Sequence, residues 1–368
     1  MYQELELQKY LRSGKTPTSL KEEFGINHRR HRDYPNLVLF KYSQIESPMG
    51  QRIVQESRGI ILDEKNNWEI ISFPYMKFFN HGEGHAATLD ITTAEAQEKL
   101  DGSLMTLYRY DDKWHVASSG MPDASGEVSV MLGTKSFADL FWDTWQLSNY
   151  TLPRSNQHCY MFEMMTKYNR IVCVYDAPRI VLHGVRNLVT MQEESPKEHA
   201  KLNGWELVRS FKMSSLDAIV ELAKSIDPTQ EEGYVTVDAN FNRVKIKAPQ
   251  YVALSHLKES ASPKTMLELI RQNEGSELLT YFPEFTDLYN KIKSAYDELV
   301  AKVKNTYEQI KNIETQKDFA LEATKTKYPA VLFALRGKKV ASAEEFYRDC
   351  NIKNLIESLG GKELFVDE

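Results

Sequence analysis

The chain has 368 residues, of which 42% are hydrophobic, enough to bury a large core and to form two domains. Its 46 basic and 52 acidic residues leave a net charge of −6, which argues against a protein that coats nucleic acid non-specifically through a basic surface. No apolar stretch approaches the roughly 18–20 residues of a membrane span, and the three cysteines (Cys159, Cys173 and Cys350) lack metal-ligand spacing, which argues against zinc and for a reducing, cytoplasmic compartment.

The first two thirds of the chain predict a mixed domain. Residues 1–35 are polar with short helical patches, and short β-type runs then continue to Lys247. Helical spacing interrupts these runs at Thr92–Gln97, Ser136–Gln146 and Ser215–Ser225. This pattern favours an α+β domain with largely antiparallel pairing. The predicted strands are Leu37–Tyr42, Gly59–Leu62, Trp68–Phe73, Leu104–Tyr110, Trp114–Ser118, Cys159–Met164, Ile171–Tyr175, Ile180–Val185, Tyr234–Val237 and Val244–Lys247.

The character of the chain changes after Tyr251. Apolar residues recur at three-, four- and seven-residue spacings from Leu288 to Ile313, which predicts an amphipathic helix with one buried stripe. Further helices are predicted at Pro263–Gln272, Asp318–Lys327 and Ser342–Ser358. We therefore expect a domain of residues 1–254 followed by an all-α domain of residues 255–368.

The motif Lys99-Leu100-Asp101-Gly102 lies directly before a predicted strand. A lysine followed two residues later by Asp-Gly at a strand entrance is typical of nucleotidyltransferases, which present an amine to a nucleotide α-phosphate. An amine attacks phosphorus only when unprotonated, so a catalytic lysine requires neighbouring cations or partial desolvation. Asp101 can orient the ammonium or a metal-bound water, and Gly102 permits a tight turn. An exposed turn is the alternative interpretation of an isolated K-x-D-G tetrapeptide.

Charged residues on the later strands are the remaining candidates. Glu163 follows Phe162 in an apolar strand, where a ribose hydroxyl pair would suit its carboxylate, although a glutamate facing water is equally compatible. Glu232 at a strand entrance suits a hard cation such as Mg²⁺, and a turn acid is the alternative. Strand periodicity puts Lys245 and Lys247 on one face, to meet a phosphate or to protect an edge strand.

Taken in order along the chain, these motifs resemble those of the bacteriophage RNA ligase 1 family, within the lysine-adenylating nucleotidyltransferases. The resemblance runs from about Leu39 to His256 and is specific in its motifs but thin between them. The strings that carry it are Glu56-Ser-Arg-Gly-Ile60, Lys77-Phe-Phe-Asn80, Lys99-Leu-Asp-Gly-Ser103, Asn169-Arg-Ile-Val172, Val185-Arg186, Glu232-Gly-Tyr-Val235 and Lys245-Ile-Lys247.

The resemblance implies an antiparallel-sheet adenylation domain and an ATP-dependent ligase that joins RNA 5′-phosphate and 3′-hydroxyl ends, with RNA such as a cleaved tRNA as its partner. Lys99 would carry AMP, while Asp101 and Gly102 would lie beside the nucleotide. Arg58 and Lys77 would bind the β- and γ-phosphates. Glu163 would hold the ribose and Tyr42 would line the adenosine pocket. Lys245 and Lys247 would neutralise the α-phosphate, and Glu232, with Asp101 through water, would hold Mg²⁺ or Mn²⁺. The helical domain would contribute RNA specificity, and we expect a monomer.

One position departs from the family pattern. Where a lysine is expected about twenty residues after Lys99, the chain has Ser118-Ser119-Gly120, which puts the handling of the RNA 5′ end in doubt. Two alternatives to the single-strand RNA ligase stay open at this point. One is a ligase for nicks in duplex RNA or DNA or a capping nucleotidyltransferase, and the helical C-terminal part argues against capping enzymes and large DNA ligases. The other is a catalytically idle RNA-binding module, against which the retained charged residues argue.

Overall fold

The computed structural model describes residues 4–130, 133–273 and 275–360. The chain forms two compact units, Met1–Val252 and Ala253–Glu368. No helix in the described part of the chain is long and apolar enough to cross a membrane.

The first unit contains sixteen strands and six complete helices among its described residues. Its strands are β1 (Ile26–Arg30), β2 (Leu37–Tyr42), β3 (Arg58–Asp63), β4 (Glu69–Ser72), β5 (Phe79–Asn80), β6 (Glu95–Glu98), β7 (Ser103–Tyr110), β8 (Lys113–Ser118), β9 (Glu127–Val130), β10 (Gly133–Ser136), β11 (His158–Met165), β12 (Arg179–Asn187), β13 (Glu193–Glu194), β14 (Ser210–Lys212), β15 (Gly233–Val237) and β16 (Arg243–Lys247). Its helices are α1 (Glu6–Arg12), α2 (Pro17–Phe24), α3 (Arg52–Glu56), α4 (Phe137–Leu147), α5 (Pro196–Asn203) and α6 (Leu216–Ser225), and α7 (Pro249–Glu259) contains the division between the units.

Three larger sheets and one hairpin organise these strands. The first sheet has the order β1-β2-β3-β4, the second β13-β12-β11-β7-β8 and the third β14-β6-β15-β16-β5. Every pairing in them is antiparallel except that of β16 with β5, and β9 with β10 forms a separate hairpin. The predicted α+β class with antiparallel pairing is confirmed.

The inner strands of the first sheet, β2 and β3, are buried on both faces, which explains their continuous apolar runs. Val38 and Phe40 pack with Leu7 and Leu11 of α1, whereas Leu39 on the opposite face packs with the second sheet. Strands covered on both sides have no polar face and therefore lose the polar–apolar alternation of a half-exposed strand.

Two predicted elements of the first unit are wrong. Thr92–Gln97 was predicted as a helix, but it contains turns and then β6, because β6 pairs on one side with β14 and on the other with β15. Ile171–Tyr175 was predicted as a strand, but the amides of Val172 and Cys173 donate to a side chain, Asp101, instead of to a neighbouring strand. The other predicted strands occur within two residues of the expected bounds.

Every regular element of the second unit among its described residues is helical, as expected. Its elements are α8 (Pro263–Gln272), α9 (Gly275–Tyr281), a 3₁₀ turn (Pro283–Phe285), α10 (Thr286–Ile310), α11 (Gln316–Ala323), α12 (Pro329–Arg336), α13 (Ala343–Asp349) and α14 (Ile352–Ser358). The buried stripe of α10 includes Ile292, Leu299 and Val303, which confirms the predicted amphipathic helix. The single helix predicted at Ser342–Ser358 is wrong, because Cys350 is extended and the Asn351 side chain caps a new helix by accepting from the Lys353 amide.

Candidate active site

The Lys99 side chain lies at the connection between β6 and β7. Its backbone amide donates to the Gly233 carbonyl at 2.9 Å, which fixes the connection against β15. Its Nζ lies 2.6 Å from Oε2 of Glu232, a carboxylate that is only 3% exposed. The other oxygen of Glu232 lies 2.9 Å from Nζ of Lys247. One buried carboxylate therefore holds two of the predicted site lysines.

Asp101 anchors the same connection from inside the unit. Its Oδ2 accepts from the amides of Val172 and Cys173 at 2.7 and 2.6 Å, and its Oδ1 accepts from the Tyr251 hydroxyl at 2.7 Å. Burial, with Glu232 and Asp101 nearby, raises the pKa of Tyr251, so this hydroxyl stays a donor. Because both Asp101 oxygens accept hydrogen bonds from the protein, the burial of this carboxylate is accounted for without a metal.

Two glycines allow the strands around Lys99 to approach closely. A Cβ on Gly102 would overlap the Met164 carbonyl oxygen and would lie 2.9 Å from Cγ of Met165. Gly233 has φ +142°, and a Cβ there would overlap the Ile246 carbonyl oxygen. Only glycine fits both positions without displacing backbone.

Five of the predicted residues meet in one cavity of about 180 Å³: Arg58, Lys99, Glu163, Lys245 and Lys247. Phe78 provides an aromatic wall, with the Arg58 guanidinium 4.9 Å and the Lys245 ammonium 4.7 Å from its ring centre. The Arg58 Nη1 atom is buried and has no hydrogen-bond partner among the described residues. This excess of cationic donors makes the cavity suited to an anion.

The electrostatics of Lys245 reflect this concentration of charge. Burial, followed by repulsion from Arg58, Lys77 and the other site lysines, lowers the pKa of Lys245 to about 7. Near pH 7 the Lys245 amine is therefore neutral in a large fraction of the molecules. A bound phosphate would offset the repulsion and favour the protonated form.

His183 is a cavity residue that the sequence reasoning missed. Its Nε2 lies 3.5 Å from Oε2 of Glu163, and its Nδ1 lies 2.8 Å from the Tyr75 hydroxyl. The Tyr75 ring also stacks on the imidazole. That buried Nε2 makes no hydrogen bond within the described part of the chain. The signal in the sequence was one polar residue inside the apolar run of β12.

Lys77 and Tyr42 lie outside this cavity. Lys77 lines a second cavity of about 550 Å³, together with Arg52, Arg186 and other residues, and its Nζ is 5.0 Å from the Tyr42 ring centre. Tyr42 lines neither cavity, because strand alternation turns it into the core with Val38 and Phe40. This geometry does not meet the expectation that Tyr42 lines the adenosine pocket.

A lysine from another strand lies at the position where the family pattern is broken. Nζ of Lys41 donates to Oγ of Ser119 at 3.3 Å. Lys41 on β2 is the cross-strand neighbour of Arg58 on β3. The expected amine is thus absent from position 119 in the sequence but present beside Ser119 in space.

Comparison with known proteins agrees with the predicted family. A family model described as RNA ligase matches residues 56–251, more than half of the chain, and the chain therefore belongs to the RNA ligase family. It is 28% identical to an RNA ligase of Rhodothermus phage RM378, in an alignment that covers 72% of this chain and 77% of that protein. It is 25% identical to a putative bifunctional polynucleotide kinase/RNA ligase of Autographa californica nuclear polyhedrosis virus, again over 72% of this chain but only 40% of the viral protein.

Solved structures with more distant similarity include an archaeal ATP-dependent RNA ligase, with 12% identity, 84% coverage of both chains and a TM-score of 0.46. A Naegleria gruberi RNA ligase with PPi shows 14% identity over 61% of this chain and 75% of that chain, with a TM-score of 0.33. Similarities this weak support no conclusion about the site.

Proposed function

We propose that this chain is an ATP-dependent RNA ligase that joins 5′-phosphate and 3′-hydroxyl ends through a lysyl-AMP on Lys99. The observation that carries the proposal is the convergence of Lys99, Glu163, Lys245 and Lys247 in one cavity whose charged groups match those of a nucleotide. RNA repair, such as rejoining a cleaved tRNA, is the proposed context, and the helical unit is the proposed source of RNA specificity.

The first step forms a bond between Nζ of Lys99 and the α-phosphorus of ATP and breaks the bond to pyrophosphate. Lys245 and Lys247 neutralise the charge that develops on the α-phosphate oxygens. The buried Nη1 of Arg58 has no hydrogen-bond partner in the described ranges, which supports a role for this residue in binding the outer phosphates, and Lys77 is proposed to extend that contact into the second cavity. Glu163 accepts from the ribose hydroxyls, with His183 beside it as a further polar contact.

The next two steps move the adenylate and seal the strand. An oxygen of the RNA 5′-phosphate attacks the phosphorus of lysyl-AMP, which breaks the N–P bond and returns Lys99 to its amine form. A 3′-hydroxyl then attacks the 5′-phosphate, forms the phosphodiester and releases AMP. Asp101 is a positioning residue in this scheme, because its hydrogen bonds to Val172, Cys173 and Tyr251 hold the Lys99 connection in place.

Glu232 fits a hard divalent cation. It supplies carboxylate oxygens beside the cavity, and Mg²⁺ or Mn²⁺ ordinarily takes one or two carboxylates, several waters and substrate phosphates. Such a cation would polarise phosphate oxygens and stabilise the leaving pyrophosphate. Because Glu232 contacts Lys99 and Lys247 in the free protein, binding a cation there requires the lysines to give up that carboxylate.

Intact-mass spectrometry after incubation with Mg²⁺ and either ATP or GTP tests the proposal. We expect an AMP adduct that maps to Lys99, no adduct in Lys99→Ala with unchanged circular dichroism, and a normal adduct in the control Lys113→Ala, which removes an exposed lysine on β8. A GMP adduct would indicate capping chemistry. Folded protein that is initially free of AMP and forms no adduct with either nucleotide would support the RNA-binding module instead.

A further inference from the structure

We propose that His158, Glu194 and His199 form a zinc site separate from the Lys99 cavity. Nε2 of His158 and Nε2 of His199 each lie 3.1 Å from the same oxygen, Oε2 of Glu194. The three ligand atoms lie within 4.8 Å of one another. None of the three residues lines the cavity that contains Lys99, so this site is independent of the proposed ligase chemistry.

The distances are close to those of a metal centre. Zinc binds imidazole nitrogen and carboxylate oxygen at about 2.0–2.2 Å, so neighbouring ligand atoms of a tetrahedral site lie roughly 3.3–3.5 Å apart. The two N–O separations of 3.1 Å need a small expansion to admit the ion, and the two imidazole nitrogens, which lie within 4.8 Å of one another, have to take up the same spacing. Two imidazoles and one carboxylate are also a ligand set that suits zinc, with water in the fourth position.

Neighbouring polar groups hold two of the three ligands in orientation. The Ser155 hydroxyl lies 2.6 Å from Nδ1 of His158, which directs Nε2 of that ring toward Glu194. Nδ2 of Asn187 donates to Oε1 of Glu194 at 2.9 Å and leaves Oε2 facing the histidines. Hydrogen bonds from the second atom of each ligand are characteristic of protein metal sites.

The position of the three residues indicates a structural role. His158 begins β11, Glu194 lies on β13 and His199 lies on α5, so one ion would join β11 to two consecutive elements that come later in the chain. His158 and His199 also flank Tyr160, whose ring packs on Trp205 in the aromatic core. Zinc binding would thus hold α5 against the second sheet.

The experiment measures zinc bound to the full chain after dialysis in excess Mg²⁺, with a thermal unfolding curve of the same samples. We expect about one zinc per chain and a melting temperature that falls when the zinc is chelated. His199→Gln and Glu194→Gln should each lose the zinc and the chelator sensitivity. The control His256→Gln removes an exposed histidine that also faces a glutamate, Glu259, and should keep both.

Binding of Co²⁺ provides a second measurement of the site, which does not depend on thermal stability. Co²⁺ at a four-coordinate site with imidazole ligands absorbs visible light, so the wild-type chain should show a band that His199→Gln lacks, with circular dichroism verifying that both are folded. If both His199→Gln and Glu194→Gln keep the same zinc and cobalt signals as the wild type, or if the wild type retains no zinc, the residues form only a hydrogen-bonded cluster and the proposal is wrong.

Discussion

Nζ of Lys99 and Oε2 of Glu232 lie 2.6 Å apart, which joins the proposed nucleophile to the proposed metal ligand in the free protein. Attack on phosphorus requires the Lys99 amine to exchange this carboxylate for the α-phosphate. The same carboxylate also contacts Lys247, so the arrival of a nucleotide and a cation must rearrange both ion pairs together.

Glu232→Gln is expected to slow adenylation of Lys99 by about 100-fold, the usual effect of removing one preorganised electrostatic contact. The substitution keeps the side-chain shape but removes the charge that holds two lysines and that would bind the cation. The measurement is the rate of AMP-adduct formation over a range of Mg²⁺ concentrations. The control is Glu231→Gln, because the neighbouring Glu231 accepts from the Tyr234 hydroxyl and forms no ion pair with Lys99 or Lys247 within the described part of the chain. If Glu232→Gln forms the adduct at the wild-type rate and with the wild-type dependence on Mg²⁺, Glu232 is not part of the proposed site.

Gly102→Ala is expected to destabilise the first unit and abolish adduct formation, because the new methyl group would overlap the Met164 carbonyl oxygen. Backbone on an inner strand cannot move aside as a flexible side chain can. Gly84→Ala is the matched control, since a Cβ there meets nothing within 4 Å and no left-handed backbone angle is required. Thermal unfolding and intact mass should separate the two variants, and equal melting temperatures would contradict the close approach seen at Gly102.

Lys245→Met is expected to stabilise the free protein while abolishing adduct formation. With a folded pKa of about 7 and an ordinary value of 10.5, Lys245 lacks a proton between these pH values that the unfolded chain holds. The contribution of Lys245 to the free energy of unfolding therefore rises with pH across that window. Below about pH 7 the lysine is protonated in both states, and its burial destabilises the folded protein by the full amount.

The melting temperature of Lys245→Met should exceed that of the wild type by about 2–4 °C near pH 6.5, the shift for roughly 1 kcal/mol in a unit of this size. The difference should shrink toward pH 10. Lys113→Met, at an exposed lysine, should show no such trend. If the wild type has a higher melting temperature than Lys245→Met at pH 6.5, the buried ammonium of Lys245 does not destabilise the folded protein.

Lys41→Met is expected to slow transfer of AMP to the RNA 5′-phosphate about tenfold, the effect of roughly 1.4 kcal/mol, while Lys99 adenylation proceeds normally. The reason is that Lys41 places its amine beside Ser119, where the family pattern has a lysine. Lys41→Met/Ser119→Lys should recover the transfer rate, because it returns the amine to the same place from the other strand. The two steps are measured separately by intact mass and by the appearance of adenylated RNA. If Lys41→Met transfers AMP at the wild-type rate, the amine has no part in binding the RNA end.

The local sequence pattern was sufficient to predict an element wherever one buried face or one motif determined its structure. The alternation of Val244 and Ile246 with Lys245 and Lys247 predicted both the strand and the shared face of the lysines, since side chains of a strand point to opposite sides in turn. The buried stripe of α10 was predictable in the same way, because its apolar residues recur at the spacing of a helix. By contrast, β6 could not be recognised, because a four-residue strand between two partners depends on pairing rather than on its own periodicity.

The sequence by itself determined the family, the α+β class and most of the charged residues of the candidate site, because those features are written in motifs and in periodic apolar patterns. Only the tertiary structure decided which of these residues meet. It placed Glu232 between Lys99 and Lys247, Lys41 beside Ser119, and Glu194 between two histidines. These contacts join residues from different segments of the chain, and their distances are set by strand pairing and core packing, which no single segment contains.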